Sequence, residues 1–60
     1  MNIPKDPVML MSYINTQLRD NYASLTELTK SLGIDEKEII EKLASINMKY
    51  DEKLNKFLAG

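Results

Sequence analysis

Residues 25–43 read LTELTKSLGIDEKEIIEKL, and this stretch decides the fold. Two apolar patterns of helical spacing meet at a glycine. Leu25, Leu28 and Leu32 recur every three or four residues, which predicts a helix over residues 25–32 with one compact apolar face. Ser24 stands before that run and Glu27 three residues after Ser24. This is a capping box, with Glu27 expected to reach back to the Ser24 amide. Gly33 sits where a left-handed residue ends a helix. After a short turn, Asp35 is the expected cap of a helix over residues 36–46, with Glu38 placed to repeat the capping box. Ile34 and Ile39 occupy the two positions of a hydrophobic staple. The expected buried stripe of this helix is Ile39, Ile40, Leu43 and Ile46, with Ala44 at its edge.

Toward the N-terminus, residues 1–5 read as a short arm and Asp6-Pro7 opens a helix over residues 7–19. Proline disfavours the helical conformation at the residue before it, which leaves Asp6 in the extended state an N-cap needs. Pro7 itself fits the first helical position, where a missing N–H costs nothing. At about 100° per residue, Leu10, Met11, Ile14 and Leu18 form one stripe. Met9 and Tyr13 lie to one side of it, and Ser12, Asn15, Thr16 and Arg19 are expected to face away. Asp20-Asn21 reads as the break, with Tyr22 anchoring the connection.

Beyond Ile46 the period changes. Ile46, Met48 and Tyr50 alternate with Asn47 and Lys49, as in a strand. Asp51 to Asn55 is turn-like, and Lys56-Phe57-Leu58 can return as a second strand, giving a hairpin over residues 47–58. A second reading of the same residues makes Asp51 the cap of one helical turn, with Leu54, Phe57 and Leu58 facing inward.

The expected fold is therefore mainly α: three helices and a C-terminal β-hairpin. Residues 25–43 resemble a helix-turn-helix unit, and residues 7–58 together resemble a miniature winged helix. Two helices crossing over a tight turn favour a small residue in the first, glycine at the turn and a branched apolar residue in the second. Gly33 and Ile39 fit. Thr29 stands where alanine is usual, a departure expected to loosen the crossing. A closer resemblance runs through Asn2-Ile-Pro-Lys-Asp-Pro-Val-Met-Leu, Ser12-Tyr-Ile-Asn-Thr-Gln-Leu-Arg-Asp and the tail Tyr50-Asp51…Asn55…Phe57. These segments resemble a family of short bacterial proteins known as a domain of unknown function. The resemblance implies bacterial origin and a free-standing single-domain protein, and it implies no activity.

Composition narrows the chemistry. The 60 residues include no cysteine and no histidine. Disulfides, thiolate metal sites and the commonest general base are thereby excluded. Ser12, Ser24, Ser31 and Ser45 have no base to activate them. The acids fall at caps and on exposed helix positions, where a carboxylate near a helix N-terminus is stabilising. Asp35, Glu36 and Glu38 lack the spacing and turn glycine of a calcium loop. The expectation is a protein that is not an enzyme, with no cofactor, metal or evident small-molecule ligand. The longest early apolar run, Val8 to Met11, is far below the ~18 residues of a membrane span, so a cytoplasmic protein is expected.

Two binding functions compete. In a winged helix the exposed face of the third helix enters the major groove. Here that face is Lys37, Glu38, Glu41, Lys42 and Ser45. From Asp35 to Ile46 there are four acids against two lysines, and the chain's net charge is −1. No Arg, Asn or Gln on this helix can read a base edge with two hydrogen bonds. The best remaining phosphate contacts are Lys49, Lys53 and Lys56 on the hairpin, aided by Lys37 and Lys42, although Asp51 and Glu52 lie among them. Against this, Val8, Met9, Met11 and Tyr13 give the first helix more apolar residues than one stripe needs. Methionine and tyrosine suit adaptable protein contacts. A non-enzymatic protein-interaction module using Met9 and Tyr13 is the leading expectation, with another protein or a second copy as partner; a homodimer through the first helix is its simplest form. A winged-helix DNA- or RNA-binding protein is the alternative.

Overall fold

The structure, a computed structural model, describes residues 3–60; Met1 and Asn2 of the N-terminal arm and of the resemblance above lie outside the described residues. The order is α1 (Pro7–Asp20), α2 (Leu25–Leu32), α3 (Glu36–Ala44), β1 (Met48–Asp51) and β2 (Lys56–Ala59). Three helices followed by an antiparallel hairpin give the layout of a miniature winged helix. The hairpin pairs Met48 with Ala59, Lys49 with Leu58, Tyr50 with Phe57 and Asp51 with Lys56.

The helix starts follow from their caps. Asp6 is extended and its carboxylate accepts from the Met9 amide at 3.0 Å, with Pro7 inside the first turn. Ser24 accepts from the Glu27 amide at 3.1 Å. Glu27 reaches back one residue further than expected, to the Ala23 amide at 3.0 Å. The box therefore satisfies an amide just outside the helix rather than that of Ser24. Gly33 adopts φ +68° and ends α2. At α3, Asp35 accepts from Lys37, not from Glu38, so the second capping box does not recur. Glu36 turns away to accept from the Thr26 hydroxyl at 2.9 Å, tying the first turn of α3 to that of α2.

The core is Leu10, Ile14 and Leu18 of α1, Leu25 and Leu28 of α2, Ile39 and Leu43 of α3, and Phe57 of β2. Ile3, Ile34 and Ile46 pack against its margin. Thr29 is buried, and its hydroxyl donates within its own helix to the carbonyls of Leu25 and Thr26 at 3.0 and 3.1 Å. A polar group with partners supplied by its own turn can enter a core without the cost of an orphaned donor.

Three further expectations change. α3 ends at Ala44, two residues early, because Asn47 takes a left-handed φ of +61° and Ile46 falls in the turn to β1. Ile40 is 42% exposed rather than buried. It lies about 60° round the helix from Leu43, beyond the arc that α1 and α2 cover. Asn15 does not face away. Its Oδ1 accepts from the Phe57 amide at 2.7 Å and its Nδ2 donates to the Phe57 carbonyl at 3.1 Å. A side-chain amide on α1 thus acts as the neighbouring strand of β2.

A second carboxamide fastens the hairpin tip, and with it the alternative helical reading of residues 51–58 falls. Asp51 Oδ1 accepts from the amides of Lys53 and Leu54, making a turn rather than a helix start. Asn55 then adopts φ +54°, a conformation asparagine tolerates. Its Nδ2 donates to the carbonyls of Leu18 (3.1 Å) and Tyr22 (2.9 Å). Its Oδ1 accepts from the Tyr50 hydroxyl at 2.6 Å, and that hydroxyl accepts from the Leu25 amide at 3.2 Å. The Tyr50 and Phe57 rings meet at 5.5 Å between centroids, tilted by 50°. Tyr22 anchors the α1–α2 connection as expected, and its hydroxyl donates to Ser31 at 3.2 Å.

Two stability measurements check this account. Tyr50→Phe keeps the ring and removes the bridge between Leu25 and Asn55, and the loss is expected to be about 1–3 kcal/mol in chemical denaturation. An effect below a few tenths would mean that the hydroxyl does not hold the hairpin. Gly33→Ala meets nothing within 4 Å, so its cost is conformational alone. It is expected to be about 1 kcal/mol, read in the same assay.

Candidate functional site

Each residue singled out from the sequence has a definite place, and the structure separates most of them. On α1, Met9 is 63% exposed, whereas Tyr13 is half-buried and packs against the core. The expected Met9–Tyr13 flank is thus open at one end only. Val8 is also exposed, at 58%. It lies about 100° round the helix from Met9, so the open apolar surface of α1 is its first turn rather than one long stripe.

The five lysines are all exposed, and they do not gather. Lys37 sits in the first turn of α3, its own amide held by Asp35. Lys42 lines a hollow under the N-terminal arm together with Lys5 and Glu38. Lys49 and Lys53 line a shallow face of the hairpin that also carries Asp51 and Glu52. Lys56 lies directly across the ladder from Asp51 and borders the side of the hairpin next to α1. Acids therefore interrupt the wing, and the α3 lysines stand apart from it.

Sequence reading missed one feature. A groove of about 680 Å³ runs between α1 and the hairpin tip, with Met11, Asn15 and Arg19 on one wall and Leu54 and Lys56 on the other. Leu54 is 58% exposed there. No acid lines this groove. Its cations are not equivalent, because Arg19 Nε lies 2.9 Å from Asp20 Oδ1. Hydrogen bonding to Arg19 holds the Asp20 carboxyl below its ordinary range, and the same bond raises the guanidinium. Both groups are in water, so the pair is screened and adds little to stability. The groove exists because Asn15 and Asn55 draw the hairpin against α1, and nothing in the local sequence announces contacts 33–42 residues apart.

The residues of the tail motif have structural tasks. Tyr50 bridges α2 to Asn55, Asp51 makes the turn, Asn55 holds the end of α1 and Phe57 fills the core. Among the described residues, no helix is long and apolar enough to cross a membrane.

No curated protein and no solved structure matches the chain. The match to a family is nearly full length, covering residues 4–57, from Pro4 of the arm through the buried Phe57. By that match the chain belongs to the family described as a domain of unknown function, DUF4250.

Proposed function

We propose that the chain is a non-enzymatic protein-interaction module of the cytoplasm, meeting its partner through apolar side chains left open on the domain. The observation that carries this reading is the exposure of Val8 and Met9 at 58% and 63% in the first turn of α1. Methionine in such a place offers an adaptable, polarisable contact. Composition supports the non-enzymatic part, since without histidine or cysteine the usual bases and nucleophiles are lacking. Tyr13 contributes less than its sequence position suggests, because its ring is partly occupied by the core.

A second reading is favoured by one observation, the acid-free groove carrying Lys56 and Arg19. A winged-helix nucleic-acid binder would lay phosphates against Lys49, Lys53 and Lys56, with Lys37 and Lys42 as outlying contacts. Scattered lysines interleaved with Asp51 and Glu52 make a weak phosphate track, so the protein-interaction reading ranks first.

Two measurements test the choice. In a gel-shift titration on random duplex at about 50 mM salt, no complex is expected; a shift that falls steeply as salt rises would replace the first reading with the second. Met9→Glu is expected to change unfolding free energy by less than about 0.5 kcal/mol, as for a surface position. A loss above about 1 kcal/mol would assign Met9 to the fold and remove it from the contact surface.

A further inference from the structure

We propose that the free edge of β1 is a self-pairing site, joining two copies of the chain through an antiparallel β1–β1 ladder centred on Tyr50. The inference rests on the protein-interaction reading and names the partner as a second copy.

The two edges of the hairpin are not equivalent. On β2, the Phe57 N–H and C=O are both taken by the Asn15 side chain, so they point away from β1. In an antiparallel ladder a residue so turned belongs to a pair that exchanges no hydrogen bonds. Its opposite, Tyr50, therefore also turns its N–H and C=O outward, at the far edge of β1, and Met48 two residues earlier does the same. No described residue supplies a partner to these outward groups. Beside them is an opening of about 280 Å³ lined by Tyr50, Glu52, Ile40 and the start of α2. One edge is thus closed by a dedicated side chain and the other is left unpaired.

Charge selects the occupant. An edge lysine such as Lys49 ordinarily guards against strand addition. A second copy related by a two-fold axis can present its outward groups in three nearby registers. With Met48 opposite Tyr50, Lys49 faces Lys49. With Tyr50 opposite Glu52, Asp51 faces Asp51. With Tyr50 opposite Tyr50, Lys49 of each copy faces Asp51 of the other, twice. Opposite charges across a ladder stabilise it and like charges destabilise it, so only the last register is favoured on both sides. The contact is isologous and closes on itself as a dimer with a four-stranded sheet. The exposed Ile40 lines the same opening and adds apolar contact. The carboxylate of Asp51 retains a free oxygen for this pair, because the turn uses only Oδ1.

The test is amide hydrogen exchange by NMR on the full chain, from about 10 μM to about 1 mM, alongside sedimentation. The Tyr50 and Met48 amides are expected to gain about tenfold protection or more as concentration rises and mass doubles, while Lys49 and Asp51 amides, bonded within the hairpin, are protected throughout. Lys49→Glu is expected to weaken association by about tenfold or more. Lys53→Glu, the same charge change outside the ladder, and Met9→Glu are expected to leave it unaltered. A monomer at every concentration overturns the pairing and restricts the interaction module to partners other than itself. A dimer in which Tyr50 exchanges freely also overturns it; if Met9→Glu abolishes that dimer, the interaction reading stands on α1 alone. Duplex binding would overturn the interaction reading, and the Tyr50 protection profile would still decide the pairing separately.

Discussion

The Asn55 side chain holds this fold together at the point where it is weakest. A two-stranded hairpin with four-residue strands has little stability of its own in water and needs a body to pack against. Asn55 supplies that attachment with both ends of one carboxamide: its nitrogen donates to the carbonyls of Leu18 and Tyr22, which close α1, and its oxygen accepts from Tyr50. Tyr50 in turn receives the Leu25 amide, an N–H of the first turn of α2 that has no partner within its own helix. The end of one helix and the start of the next are thus satisfied by the hairpin. Few residue types could stand at position 55. It needs a donor and an acceptor on a short side chain, and it needs to accept φ +54°, which asparagine does more readily than branched or bulky residues.

From that attachment the unequal edges follow. Once Asn55 pins the tip to the end of α1, β2 lies along α1, and the next side chain on the same flank that can reach it is Asn15. Its amide and carbonyl match those of Phe57 in the way a strand would, at 2.7 and 3.1 Å. The helix therefore finishes one side of a sheet that has no third strand. The other side receives no such side chain: α3 leads directly into β1 through the left-handed Asn47 and packs against β1 and not β2, yet no side chain of it bonds the β1 backbone. The bond from the Gly60 amide to the Asn47 carbonyl at 2.9 Å then fixes the base of the hairpin.

How much of this was legible in the sequence depended on the range of the interaction. The caps at Asp6, Ser24 and Asp35 and the stop at Gly33 act over two to four residues, and each helix start was readable to the residue. The periodicity of α1 likewise identified Leu10, Ile14 and Leu18. Where the deciding contact is distant, local pattern misled. Asn15 is polar and lies off the apolar stripe, so it read as solvent-facing, although its partner is on a strand 42 residues away. Ile40 read as core because it is apolar and next to Ile39, yet the fold has no element to cover it. Hairpin and helical turn were equally compatible with Asp51, since an aspartate carboxylate can accept amides two and three residues on in either case. The same limit applied to the surfaces. Counting apolar residues on α1 showed a surplus but not which would be covered, so the exposure of Met9 and the half-burial of Tyr13 were not readable from it.

The tail Tyr50-Asp51…Asn55…Phe57 is thereby accounted for by folding. Tyr50, Asp51, Asn55 and Phe57 are each engaged inside the domain, by a bridge, a turn, a clamp and a core position. Residues so engaged can offer a partner only the groups that these tasks leave unused, such as the backbone of Tyr50 and the second carboxylate oxygen of Asp51. Whatever the domain binds must be met by groups the fold leaves over, and among the described residues these are of two kinds: exposed apolar side chains, such as Met9 and Ile40, and unpaired backbone groups along β1. The second kind is the more specific. An exposed methionine will accept many surfaces, whereas an open ladder flanked by one lysine and one aspartate accepts a strand whose charges run in the complementary order, and β1 read in the opposite direction is such a strand.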